Sequence, residues 1–128
     1  MMKEYPKALR TVFIIHAIIA ILVGIQHIFL PHLPGDLTGV ELPAPILYRI
    51  LGAAVFAFGL SSALAAKAKY WENIRILLPM EIIWSLLGAI IISWGIISKK
   101  LPGIEWPNAI LLFIFALLFA AFRPLKNI

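Results

Sequence analysis

Four long apolar stretches dominate the pattern of hydrophobic and polar positions along this chain. They cover residues 11–30, 46–66, 75–98 and 106–122. A helix of about 20 apolar residues, rising about 1.5 Å per residue, crosses a hydrocarbon core of about 30 Å. The first three stretches reach that length, and the fourth is slightly shorter. The pattern predicts an all-α, polytopic membrane protein, with residues 1–128 forming one antiparallel bundle of four transmembrane helices.

The connections between the stretches differ in length and composition. Residues 31–45 contain four prolines and two glycines, which argue against a helix through this loop. We expect an ordered lid on the outer end of the bundle, because the loop also has an apolar side formed by Leu33, Leu37, Val40 and Leu42. The connection between Ala66 and Arg75 is short, and it predicts an antiparallel hairpin of the second and third helices.

Charge is scarce and concentrated at the ends of the spans. The chain is 62% hydrophobic and 13% charged, with a net charge of +5. Only Arg49, Lys99 and Lys100 fall on one predicted side of the membrane. The other eight basic residues fall on the opposite side, and they are Lys3, Lys7, Arg10, Lys67, Lys69, Arg75, Arg123 and Lys126. This bias predicts a multi-pass protein of the cell membrane with both termini cytoplasmic, and it argues against a nucleic-acid partner.

Small residues mark the helix faces that we expect to be in contact, since close approach drives helix association in lipid. The second span carries Gly52 and Gly59 at helical spacing, and the first offers Ala20 and Gly24. The third span has a comparable stripe of Ser85, Gly88 and Gly95. The fourth span is bulky nearly all round, so we expect it to face lipid or a partner subunit.

Polar residues fall on these same faces at two depths. His16 and His27 are eleven residues apart, about three helical turns, and therefore share one face of the first helix. His16, Glu81 and Ser62 lie at a similar level near the inner side, while His27 and Arg49 lie near the outer side. We predict an inner His16/Glu81 cluster and an outer His27/Arg49 cluster, with an apolar layer between them. Arg49 and Glu81 are too far apart along the membrane normal to pair.

These clusters have functional and structural interpretations. An ionisable residue inside a membrane is a candidate functional site, so His16, Glu81 and Ser62 could form a proton or ligand site. The alternative is a structural hydrogen bond or a side chain that reaches the headgroups. Arg49, with His27, could contact an anion or a lipid headgroup, or else bond to carbonyl groups of the lid loop.

No cofactor or metal is predicted. A haem held by two histidines would form only across an oligomer, because His16 and His27 lie on one helix and the other spans contain no histidine. His32, Asp36 and Glu41 in the lid loop fit no known metal site. The chain has no cysteine, which excludes thiolate chemistry, and it contains no catalytic motif with a nucleophile and its base.

One stretch of the second span is similar to a known family. Arg49-Ile50-Leu51-Gly52 followed by Gly59-Leu60 resembles the R-x-x-G-x6-G-L pattern of small DoxX-like four-helix membrane proteins. The likeness covers about a dozen residues. It implies a four-helix bundle and an accessory role, since some members accompany quinone-linked oxidoreductases. It carries over no catalytic residue.

Three functions are consistent with this sequence. The first is a non-enzymatic accessory subunit or binding protein, which packs through its fourth helix in a larger membrane assembly or a homo-oligomer. The second is a small transporter or channel with a proton- or ligand-responsive His16/Glu81 site. The third is a quinone- or lipid-binding component of a membrane oxidoreductase, which uses a cavity between the two polar clusters.

Overall fold

The structure is a computed structural model that describes residues 2–122, and within them it confirms the all-α prediction. Four helices are long and apolar enough to cross a membrane. They are α1 (Lys7–Phe29), α3 (Pro45–Lys67), α5 (Leu77–Ile97) and α6 (Trp106–Ala121), the last preceded by the 3₁₀ turn Gly103–Glu105. Two short helices, α2 (Leu33–Thr38) and α4 (Trp71–Ile74), lie in the connections. Each long helix matches one predicted span, although α1 begins at Lys7 rather than at residue 11.

Helices α1 and α3 pack with their backbones almost in contact. A Cβ atom added at Gly24 would lie 2.8 Å from the backbone nitrogen of Phe56. One added at Gly52 would lie 2.9 Å from the Gly24 carbonyl oxygen. No side chain fits at either position, so the closeness of the two helices depends on these glycines. The predicted small-residue faces of the first and second spans do meet.

Helices α5 and α6 form a second pair, in which side chains mediate the contact. A Cβ atom at Gly88 would meet the tip of the Leu112 side chain at 2.9 Å. One face of α6 enters the bundle through a stripe that contains Ala109, Phe115, Ala116 and Phe119, all buried. The opposite face of α6 exposes bulky apolar side chains, among them Ile110, Phe113 and Leu117.

The predicted hairpin of the second and third spans is wrong in one respect. Helices α3 and α5 follow each other in sequence, but they touch at few points, whereas α1 packs on α3 and α5 on α6. The reason is the placement of small residues. The glycines of α3 face α1, and Gly88 of α5 faces α6. The stacked rings of Phe58 and Trp84, with centroids 4.8 Å apart, join α3 to α5.

The chain ahead of α1 is tied to the α3–α4 connection, and we call this the N-terminal end of the bundle. The Trp71 N–H donates to the Lys3 carbonyl at 2.9 Å, and the Tyr5 hydroxyl donates to the Ala65 carbonyl at 2.7 Å. The Arg10 guanidinium lies over the Tyr5 ring. Burial raises the pKa of Tyr5, and the nearby Arg10 charge partly offsets this. These bonds place Lys3, Lys7 and Arg10 at the same end of the bundle as the basic residues Lys67, Lys69 and Arg75.

The opposite end, which we call the lid end, carries residues 30–44. The expectation that proline and glycine prevent a helix here is wrong for Leu33–Thr38, which form α2. Pro34 lies in the first turn, where its missing N–H costs nothing, and Gly39 ends the helix with φ +72°. The apolar side of the loop is largely uncovered, since Leu37 is 76% exposed.

Candidate functional site: an internal cavity between two buried polar clusters

The structure brings three of the five predicted site residues together. His16 of α1, Ser62 of α3 and Glu81 of α5 are all buried, with exposed fractions of 3%, 0% and 1%. The Ser62 hydroxyl donates to Glu81 Oε1 at 3.0 Å, and His16 Nδ1 lies 2.6 Å from Ser62 Oγ. His16 Nε2 lies 3.7 Å from Glu81 Oε2. The cluster therefore connects three helices, and Ser62 is the bridge between the other two residues.

With Glu81 ionised and His16 neutral, the hydrogen bonds of this cluster leave a place for one further proton. Ser62 has one hydroxyl proton, which goes to Glu81, so His16 Nδ1 must donate to Ser62 Oγ. A neutral imidazole then has a bare lone pair on Nε2, which faces Glu81 Oε2. Two acceptors facing each other are unfavourable unless a proton is added to one of them. Glu81 Oε2 has no hydrogen-bond partner within residues 2–122, and neither has the buried hydroxyl of Ser85, one turn further along α5.

His27 and Arg49, the remaining two predicted site residues, make separate contacts. His27 is buried, and its Nδ1 lies 3.0 Å from the Val23 carbonyl in its own helix. Arg49 is exposed, and its Nη1 donates at 2.9 Å to the carbonyl of Ile28, in the last turn of α1. The guanidinium thus bonds to a helix carbonyl and not to the lid loop. Arg49 and Glu81 bond to different groups, in agreement with their predicted separation.

A second buried carboxyl group, that of Glu105, lies near the outer cluster in which the sequence predicts Arg49 beside His27. This group is not predicted in the sequence analysis. Glu105 is 6% exposed, in the 3₁₀ turn that leads into α6. The Tyr48 hydroxyl donates to its Oε1 at 2.8 Å, and the Asn108 amide donates to its Oε2 at 2.8 Å. The Tyr48 ring in turn packs on His27, with centroids 5.4 Å apart. The Glu-x-x-Asn spacing at the start of a helix is the sequence signal that could have found this contact.

A cavity of about 320 Å³ lies between the two clusters. All four long helices contribute to its wall, which includes His16, His27, Val55, Trp84, Asn108 and Phe115. His16 lines it toward the N-terminal end, and His27 and Asn108 line it toward the lid end. Since the two histidines are eleven residues apart on α1, they are separated by about 16 Å along the helix axis. The side chains between them are apolar, which is the apolar layer that the sequence analysis expected.

Part of the cavity wall lies at the outer surface of the bundle. Ile91 is 65% exposed and also lines the cavity. Leu51 and Val55 of α3 lie on the wall as well, along the pair of helices that touch at few points. Trp84 and Phe58 stack at the same seam.

The described residues offer little to a metal ion. No group of three His, Asp or Glu side chains suited to hold a metal occurs within residues 2–122. His32, Asp36 and Glu41, which lie around the lid loop, do not form such a group either.

Comparisons of the chain with protein-family models, with curated proteins and with solved structures found no match. The resemblance of residues 49–60 to DoxX-like proteins therefore stays a prediction.

Proposed function

We propose that this multi-pass membrane protein binds a small, largely apolar molecule inside its helical bundle. The observation that carries the proposal is the cavity of about 320 Å³ with polar groups at its ends and an apolar wall between them. Small-molecule sites have this character, since a few placed polar groups fix orientation while apolar surface supplies affinity. Quinones and single lipid chains belong to the class of molecules proposed.

The size of the cavity supports a ligand larger than a single ring. An engineered apolar cavity of about 150 Å³ is large enough to bind benzene. The cavity in this bundle has about twice that volume. A molecule with two fused rings, or with a short acyl chain, is therefore the appropriate size.

For the location, we propose the cell membrane with both termini on the cytoplasmic side. The support is the charge bias, since eight basic residues fall on that side and three on the other. Six of the eight lie in the described part of the chain. Arg123 and Lys126 lie outside it. Among the six, Lys3, Lys69 and Arg10 belong to the bonded segments of the N-terminal end. The opposite end carries Arg49, Lys99 and Lys100.

The test is mass spectrometry of the protein purified from its membranes in a mild detergent. We expect one small molecule per chain, extractable with organic solvent. Val55→Phe adds a ring to the cavity wall and should remove that molecule, while Leu60→Phe, on the exposed face of the same helix, should retain it. If all three proteins carry only the same mixture of bulk lipids, the proposal is wrong.

A second function, a proton-responsive site, is favoured by the position of His16 Nε2, 3.7 Å from Glu81 Oε2, and by the lack of a hydrogen-bond partner for that oxygen within residues 2–122. With Glu81 ionised and His16 neutral, the cluster takes up one proton to become neutral, as a small transporter coupled to protons requires. In pH-difference infrared spectra we expect a carboxyl or imidazole band that is absent from Glu81→Gln and present in Arg49→Gln. Identical spectra for the wild type and Glu81→Gln would exclude this function.

The accessory-subunit hypothesis stays a prediction. The exposed apolar face of α6 suits a partner helix and lipid equally well. Purification from native membranes separates the two, because a subunit should co-purify with a partner at a fixed molar ratio. A protein that always elutes alone would contradict it.

A further inference from the structure

The polar groups at the lid end of the cavity have their protons assigned by the bonds that they already make. His27 Nδ1 is 3.0 Å from the Val23 carbonyl, and a carbonyl oxygen only accepts, so Nδ1 carries the proton. A charged side chain at membrane depth is costly, which favours the neutral imidazole. His27 lines the cavity, and its neutral imidazole has a lone pair on Nε2 and no second N–H donor.

The neighbouring groups add a further acceptor at the same place. The Asn108 Nδ2 faces a carboxylate oxygen of Glu105, which fixes the orientation of the amide and leaves Oδ1 free to accept. The Tyr48 hydroxyl donates its only proton to the other oxygen of Glu105. Among these groups at the lid end, one N–H of Asn108 remains as a donor, against the lone pairs of His27 Nε2 and Asn108 Oδ1.

We propose that the cavity selects molecules whose polar head donates a hydrogen bond, such as an alcohol, a phenol or an amine. The head lies at the lid end between His27 and Asn108, and the apolar body lies along the wall toward His16. A hydroxyl group donates to His27 Nε2 and can accept the remaining Asn108 N–H. A ketone, aldehyde or ether leaves His27 Nε2 without a partner and is disfavoured. Among quinones, the reduced form with its hydroxyl groups is therefore preferred to the oxidised form with its carbonyl groups. This inference rests on the proposed function, because it names the class of ligand for the same cavity.

The test uses pairs of two-ring probes with equal shape and different hydrogen-bonding capacity. 2-Naphthol and 2-methylnaphthalene differ by a hydroxyl group, which donates and accepts, whereas 2-methoxynaphthalene and 2-ethylnaphthalene differ by an acceptor alone. Equilibrium binding is measured with the protein in nanodiscs, after subtraction of uptake by protein-free nanodiscs. We expect the hydroxyl to tighten binding about fivefold over the methyl group, and the methoxy group to give no gain over ethyl.

Two variants assign the effect to the lid end. His27→Phe retains a ring and a Cβ atom but removes Nε2, so the preference for 2-naphthol over 2-methylnaphthalene should fall to about onefold. Binding of 2-methylnaphthalene itself should persist, which shows that the variant is folded. His32→Phe, in the exposed lid loop, is the matched control and should retain the preference.

The outcomes separate this inference from the function that it rests on. If no probe binds saturably to the wild type, the proposed binding function fails. If the probes bind but the methoxy or a carbonyl compound such as 2-naphthaldehyde is preferred, only the donor selectivity is overturned. The same holds if His27→Phe leaves the preference for 2-naphthol unchanged.

Discussion

The α1–α3 pair and the α5–α6 pair solve the same packing problem with different atoms. Between α1 and α3, backbone meets backbone at Gly24 and Gly52. Between α5 and α6, the corresponding close approach at Gly88 meets the tip of a leucine side chain. A backbone cannot move aside, whereas a side chain can change rotamer. The first pair is therefore a rigid unit, the second can adjust, and the cavity lies where the two units meet.

The largest expected difference between the pairs comes from adding one methyl group. Gly24→Ala should destabilise the protein by about 2–3 kcal/mol, because the new Cβ collides with the Phe56 backbone. Gly88→Ala should be nearly neutral, since Leu112 can move and alanine favours the helix by up to about 1 kcal/mol. Reversible unfolding in mixed micelles measures both. Equal losses at the two positions would contradict the comparison.

The next largest effect on stability is expected from the hydrogen bonds that Ser62 makes between the two helix pairs. Ser62 joins His16 of the first pair to Glu81 of the second, so Ser62→Ala leaves two buried groups without a partner. We expect a loss of about 1–2 kcal/mol in the free energy of unfolding, the upper range for membrane hydrogen bonds. Ser61→Ala, one residue earlier on α3, is the control and should change little. A Ser62→Ala variant as stable as that control would remove the bridging role.

Filling the seam between the pairs should act in the opposite direction. Val55→Phe places new apolar volume in the cavity, and cavity filling commonly adds about 0.5–2 kcal/mol. We expect a gain of about 1 kcal/mol in protein stripped of lipid, measured by the same unfolding assay. Leu60→Phe on the exposed face should give no gain. A loss of stability confined to Val55→Phe would indicate a tightly packed seam.

The smallest effect on stability is expected at the N-terminal end, away from the α1–α3 and α5–α6 contacts. Lys69 Nζ lies 3.3 Å from Glu4 Oε1 with both side chains exposed, and this hydrogen bond raises the pKa of Lys69. The pair is therefore intact at neutral pH and is lost as the pH rises through that raised pKa. Glu4→Gln should leave the unfolding transition unchanged at neutral pH. Tyr5→Phe at the same end should cost about 1 kcal/mol, because its hydroxyl is buried against Ala65.

The sequence predicted the parts of this fold that depend on hydropathy and helical period. The four spans follow from run length, and the contact of Gly24 with α3 follows from the spacing of small residues. The His16–Glu81 cluster follows from membrane depth, since both residues lie a similar number of residues from the inner side of the membrane. Each of these properties is local to one helix.

The parts that were missed depend on how separate helices meet. Proximity in sequence suggested that α3 pairs with α5, but the direction in which each glycine stripe points decided the pairing. Glu105 was overlooked because it precedes the fourth span, and a turn rather than a helix aims its carboxyl group at Tyr48. The sequence predicts Arg49 beside His27 because both lie near the outer side, yet the length of the Arg49 side chain lets it reach the Ile28 carbonyl instead.

The central claim, a ligand site at the seam between the two pairs, is tested most directly by photoaffinity labelling. The protein in nanodiscs is irradiated with a diazirine derivative of naphthalene, and the labelled residues are mapped with and without excess 2-naphthol. The account predicts label on the cavity-lining Val55 and Trp84 that 2-naphthol removes, together with label on the exposed Leu60 that it does not remove. Labelling confined to exposed residues, or insensitive to 2-naphthol throughout, would contradict it.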